Sequence, residues 1–138
     1  MSSIDNRCRE LIVSFEGKHV SLNSDEHSLM AAIADNKRQP TAYILFQRSV
    51  APSQQDVELG HDQVHLEIGE QNRARYGGIE RCVLSNKELR VKLKDDAAHD
   101  LGVKGDIRIG LDLTDSELRD LTVFLEDLFS SMVEFRRL

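Results

Sequence analysis

Tryptophan is absent from this chain, and aromatic residues make up only 5% of it, so any core must be assembled mainly from aliphatic side chains. There are two prolines, Pro40 and Pro52, which leaves long stretches with nothing to interrupt a strand or a helix. The two cysteines, Cys8 and Cys82, lie far apart and form no CxxC pair. That excludes a disulfide scaffold and a zinc ribbon, and two reduced thiols are expected, with Cys82 inside a strand. No apolar run approaches the roughly 20 residues of a membrane helix, so no membrane association is expected. The opening "MSSIDNRCRE" has no apolar signal core, which points to the cytoplasm. Basic residues are also in deficit, 18 against 24 acids, for a net charge of −6. That balance argues against a nucleic-acid partner, whose phosphates need neutralising, and suits a basic protein partner.

The 138 residues present, 40% hydrophobic and 30% charged, have the composition of an ordinary globular protein. A single domain spanning 1–138 is expected, long enough to bury roughly two-thirds of its unfolded surface. Charge is unevenly distributed. Residues 49–72 contain Asp56, Glu58, Asp62, Glu67 and Glu70 with no Lys or Arg, whereas 73–94 carry seven Lys and Arg against two Glu. One segment is acidic and the next basic.

Period-two alternation dominates. In "ELRVKLK", Leu89, Val91 and Leu93 share one face while charged residues take the other. Ile107, Ile109, Leu111 and Leu113 repeat the pattern, as do Val64, Leu66 and Ile68 with His65 and Glu67 opposite, and Leu11, Val13 and Phe15. "AYILFQR" is apolar on both faces, as a central strand would be. "IERCVLS" followed by "NKELRVKLK" reads as a hairpin breaking at 85–87. "SLMAAIAD" has helix-forming residues with Ser24 or Asp25 as a cap, but is short, and a strand is the preferred reading.

"TDSE" is a capping box, with Thr114 and Glu117 satisfying opposite backbone donors at a helix start. Leu118, Leu121, Leu125, Leu128, Met132 and Phe135 continue it as an apolar stripe. A shorter helix fits "DDAAHDLG", stopped by Gly102. The expected fold is α+β, a mostly antiparallel β-sheet with a C-terminal amphipathic helix packed on one face.

Signs of catalysis are sparse. His61 and His65 have helical ligand spacing, but on a strand they stand about 13 Å apart and would not share a metal without a bend. No GxSxG elbow is present, and nothing pairs Cys82 with a base. "GEQNRARYGGIE" offers Arg73 and Arg75 beside a Gly-Gly pair able to expose backbone N–H groups to an anion. A strand beginning at Ile79 removes the helix dipole that a phosphate cradle uses, and the GK[ST] of a P-loop is missing. Arginine and tyrosine in one loop suit a protein contact instead. No metal, cofactor or catalytic residue is assigned.

Several ordered blocks now converge. "YILFQR" at 43–48, "QDVELG" at 55–60, "HLE" at 65–67 and "YGGI" at 76–79 are followed by "LSNKELRVKL" and "IRIGLDL". Across about 28–125 this pattern resembles the immunity protein 10 family of bacterial polymorphic toxin systems. His65 stands where the family pattern has an aromatic. The resemblance implies a cytoplasmic, non-catalytic antidote that binds and blocks a cognate toxin domain. A toxin-binding patch is expected at Asp56, Glu58 and Asp62, flanked by Arg73, Arg75 and Tyr76. Gln47, Arg48, Gly60, Glu67, Gly77 and Gly78 are expected to be structural, with Arg48 pairing to one of those acids. Two other readings stand beside it: a small anion- or nucleotide-binding domain using 73–78, and a homodimer joined by a sheet edge or the C-terminal helix.

Overall fold

The computed structural model describes residues 11–138, so Cys8 lies outside the described residues. Its strands divide between two five-stranded sheets. Sheet one runs β1 (Ser14–Gly17), β9 (Ile107–Leu111), β8 (Glu88–Leu93), β7 (Ile79–Leu84), β10 (Glu134–Arg137). Sheet two is an antiparallel meander of β2 (His19–Ser24), β3 (Ser28–Ala34), β4 (Tyr43–Ser49), β5 (His65–Ile68) and β6 (Glu70–Tyr76). Among the described residues three helices intervene: α1 (Gln54–Glu58), α2 (Asp95–Leu101) and α3 (Asp115–Phe129). The architecture is α+β and mostly antiparallel, and the two outermost strands of sheet one, β1 and β10, pair in parallel with β9 and β7.

The alternating patterns bury the residues they imply. Leu89, Val91 and Leu93 of β8, Ile107, Ile109 and Leu111 of β9, and Val64, Leu66 and Ile68 are all buried, and so is Cys82 within β7. "YILFQR" is the middle strand of sheet two, and "SLMAAIA" is the strand β3 beside it. β7 and β8 form the expected hairpin, closed by Ser85 N–H donating to the Glu88 carbonyl at 2.9 Å. Val13 and Phe15 pack against the core, while Leu11 is exposed and bridges to Val103.

Helix α3 begins as read. Thr114 Oγ1 accepts from the Glu117 N–H at 3.1 Å and Glu117 Oε1 from the Thr114 N–H at 2.9 Å. It buries Leu118, Leu121, Leu125, Leu128 and Phe129, each aliphatic side chain stabilising by roughly 1.5–3 kcal/mol. It packs on β2, β3, β4 and β10, with Phe129 edge-on to Phe46 at 5.1 Å. The apolar stripe is shorter than its spacing implied. The helix stops at Ser130, whose φ of 49° ends the α run; Met132 is 39% exposed and Phe135 lies on β10. Beyond Ser130 the pattern changes period, with Val133 buried and Phe135 partly so, so α3 serves as a crossover between two strands of one sheet. Helix α2 ends at Gly102 in the left-handed conformation, φ 68°.

The segment read as a loop, 70–76, is instead a strand. Gly69 (φ 70°) turns the chain out of β5 and Gly77–Gly78 (φ 73° and 95°) turn it into β7, with a bulge in the β5–β6 pairing. Polar residues on both faces of "EQNRARY" hid this, since period two then leaves no hydrophobic signal.

Candidate functional site

Helix α1 follows the acidic segment's Ser53-x-x-Asp56, a capping box that signals a helix start and was legible in the sequence. Ser53 Oγ accepts from the Asp56 N–H at 3.1 Å, and Asp56 Oδ2 accepts from the Ser53 N–H at 2.9 Å. The Ser53 N–H foremost, and then the Ser53 hydroxyl, hold the Asp56 carboxyl below its usual range, and nearby His61 adds to the effect. The helix has five residues and buries none of them. Val57 is 52% and Leu59 59% exposed, beside exposed Glu58 and half-buried Asp62. Gly60, at φ 77°, bends the chain after the helix.

That bend brings His61 back. Its N–H donates to the Asp56 carbonyl at 2.7 Å, and its ring stacks on Tyr76, centroids 4.3 Å apart and planes 21° apart. His65, register partner of Tyr76 across the β5–β6 pair, lies 4.8 Å from the same ring. The two imidazoles separated by a strand's length in the sequence reading thus share one tyrosine. A recess of about 250 Å³ opens there, lined among others by Gln47, Asp56, His61, His65 and Tyr76. Among the described residues, no group of three or more His, Cys, Asp or Glu is placed to hold a metal ion. Tyr76 is 39% exposed. Asp56 and Tyr76 therefore line one recess, with Glu58 on the adjoining helix and Asp62 on the turn after it.

Arg73 and Arg75 turn elsewhere, to α2. Arg73 Nη1 donates to the carbonyls of Leu101 and Gly102 at the helix's C-terminal end, 2.5 and 3.4 Å. Arg75 Nη1 meets Asp100 Oδ2 at 3.3 Å, and its Nε donates to the Tyr76 carbonyl. Both guanidiniums thus support the chain's own helix, where positive charge also complements the helix dipole. Three more cations of the basic segment have acidic partners: Arg81 with Glu134, Lys92 with Glu80 and Arg90 with Glu88.

Arg48 does the same for α3. Its Nε donates to the Leu128 carbonyl at 2.7 Å and its Nη2 to the Asp127 carbonyl at 3.0 Å, with the Asp127 carboxylate 4.0 Å away. Its acidic partner is therefore on α3 and not among Asp56, Glu58 and Asp62. No periodic signal joins β4 to a helix end so distant in sequence. Glu67 accepts a hydrogen bond from the Tyr43 hydroxyl, and Gly78 lies against α2, where a Cβ would come 2.4 Å from that of Ala97. The family model for Immunity protein 10 matches residues 17–119 of the 138.

The chain belongs to the Immunity protein 10 family. It is thus an immunity protein of a toxin system. The matched span runs from the end of β1 into the first turns of α3 and includes all of sheet two, α1 and the Tyr76 cluster. β10 and most of α3 fall outside it. None of the curated proteins compared with this immunity protein matches it. Among the described residues, no helix is long and apolar enough to cross a membrane.

Proposed function

We propose that this immunity protein neutralises its cognate toxin domain by binding it through α1, the turn that follows and Tyr76, without catalysis, in the cytoplasm of a bacterium exposed to a polymorphic toxin. The observation that carries this reading is that α1 buries none of its residues. A five-residue helix contributes little to the core, yet this one holds Val57 and Leu59 in water amid acidic side chains. An apolar centre with an aromatic and an acidic rim is the pattern of a binding hot spot. The acids speed encounter with a basic partner surface, and the apolar side chains slow dissociation. Arg73 and Arg75 belong to the original patch by sequence; their bonds to α2 give them a supporting role behind Tyr76.

Co-expression with the cognate toxin domain tests this. Asp56→Lys with Glu58→Lys should weaken protection, although Asp56→Lys also removes half of the α1 capping box. Val57→Ala with Leu59→Ala spares the cap, and exposed truncations of this kind change stability by only about 0.5 kcal/mol. Both folded double variants should bind the toxin at least ~10-fold more weakly, the loss of about 1.4 kcal/mol. Undiminished binding by both would remove α1 from the interface.

A further inference from the structure

Four strands form the edges of the two sheets: β1 and β10 of one, β2 and β6 of the other. Exposed edges invite pairing unless charge, proline or a bulge blunts them. β10 carries Glu134, Arg136 and Arg137, β1 carries Glu16, and β6 has Arg73, Arg75 and a bulged register. β2 is different: "HVSLNS" contains no Asp, Glu, Lys, Arg or Pro, and all six residues pair with β3 in unbroken register. Asp25 N–H donates to the Ser28 carbonyl at 3.0 Å. By the alternation of an antiparallel ladder, the N–H and C=O groups of Ser24, Leu22 and Val20 then point away from β3.

We propose that β2 pairs with β2 of a second copy of this chain, antiparallel about Leu22, so that one sheet runs through both copies. Residues equidistant from Leu22 face each other in that arrangement: Val20 opposite Ser24, and beyond the strand ends Lys18 opposite Glu26. Lys18 and Glu26 are both exposed. The pairing is therefore uncharged from Val20 to Ser24 and charge-complementary at each end, where Lys18 faces Glu26 and Asp25 faces His19, which a two-fold axis requires of a surface that meets itself. The apolar layer is continuous across the same edge. Leu22, Leu29, Val123 and Phe124 line a groove of about 390 Å³ beside β2, and Val123 is 68% exposed on α3. Leu22 of a second copy extends this layer across the axis.

Sedimentation equilibrium of the full purified chain tests the pairing, with circular dichroism to confirm that each variant is folded. The wild type should show a reversible monomer–dimer equilibrium. Lys18→Glu sets two acids against each other at both ends, and Glu26→Lys sets two lysines; each should raise the dimer Kd roughly ten-fold. Carrying both substitutions in one chain restores opposite charges and should restore the wild-type Kd. Ser24→Pro deletes an N–H that faces away from β3 and should also weaken the dimer. A wild type that stays monomeric at the highest attainable concentration overturns the proposal, as does a dimer indifferent to all these changes. If Ser24→Pro abolishes toxin protection in a chain that is monomeric throughout, the edge receives the toxin and not a second copy.

Discussion

Replacing Gly77 and Gly78 by alanine, one at a time, separates two reasons for a glycine that are usually confounded. Both residues have positive φ, 73° and 95°. A methyl at 77 meets nothing nearer than Gln63 Cβ and Cγ at 3.7 Å, ordinary contact. At 78 it would stand 2.4 Å from the Cβ of Ala97, a buried residue of α2. Backbone strain alone costs about 1–2 kcal/mol at either site. Overpacking against α2 adds about 1–3 kcal/mol at 78 only. The expected losses are therefore about 1–2 kcal/mol for Gly77→Ala and about 2–5 kcal/mol for Gly78→Ala, read from urea midpoints at unchanged m. Ala97→Gly costs roughly 1 kcal/mol by itself in a helix. Combined with Gly78→Ala it removes the clash, so the double variant should be more stable than the two losses together imply, by about 1–3 kcal/mol. Equal losses at 77 and 78, or strict additivity with Ala97→Gly, would refute the close approach of this turn to α2.

Further outcomes are checked by the same unfolding experiment. Arg48→Ala removes two charge-assisted bonds to the last carbonyls of α3 and should cost about 2–3 kcal/mol, whereas an exposed arginine would cost next to nothing. Leu125→Ala, fully buried in α3, should cost about 3–5 kcal/mol. Thr114→Ala should cost about 1 kcal/mol at pH 7 through the lost cap. The Thr114 N–H, and then its hydroxyl, hold the Glu117 carboxyl below its ordinary 4.5. Its folded value being depressed, the stabilisation is complete above 4.5 and fades as pH falls through the lowered folded value. The stability gap between wild type and Glu117→Gln should accordingly narrow in acid, and a gap independent of pH would contradict the cap. Burial pushes the Cys82 thiol far up; in a Cys8→Ser background an aromatic disulfide reagent should label it only on unfolding.

Much of the fold lies in side-chain alternation, because a sheet with one buried face imposes period two on whatever sequence forms it. Hence Leu89, Val91 and Leu93 announce their strand and their burial together. The capping box at Thr114 marks a helix start for the same local reason. The strand at 70–76 escapes this reading, since "EQNRARY" shows no alternation of apolar with polar residues. So does the tail after Ser130: four apolar residues at helical spacing continue into Met132 and Phe135 by coincidence of two periods. The acidic half of the candidate site could be read as a run of charge, and the Ser53 capping box could have placed α1. The His61–Tyr76–His65 cluster could not, for it depends on a bend after Gly60 and on the register of β5 against β6.

The sequence by itself determined the α+β class, the core faces, the start of α3, and family membership, all of which follow from short-range periodicity and ordered blocks of residues. Only the tertiary structure decided which arginines serve the chain. Arg48, Arg73 and Arg75 look alike as exposed cations in a line of text, yet each reaches a helix end 25 or more residues away. The same holds for the division into two sheets and the bare edge of β2. Hydrogen-bond partners across long sequence separations carry no local signature, so they exist only once the chain has closed on itself.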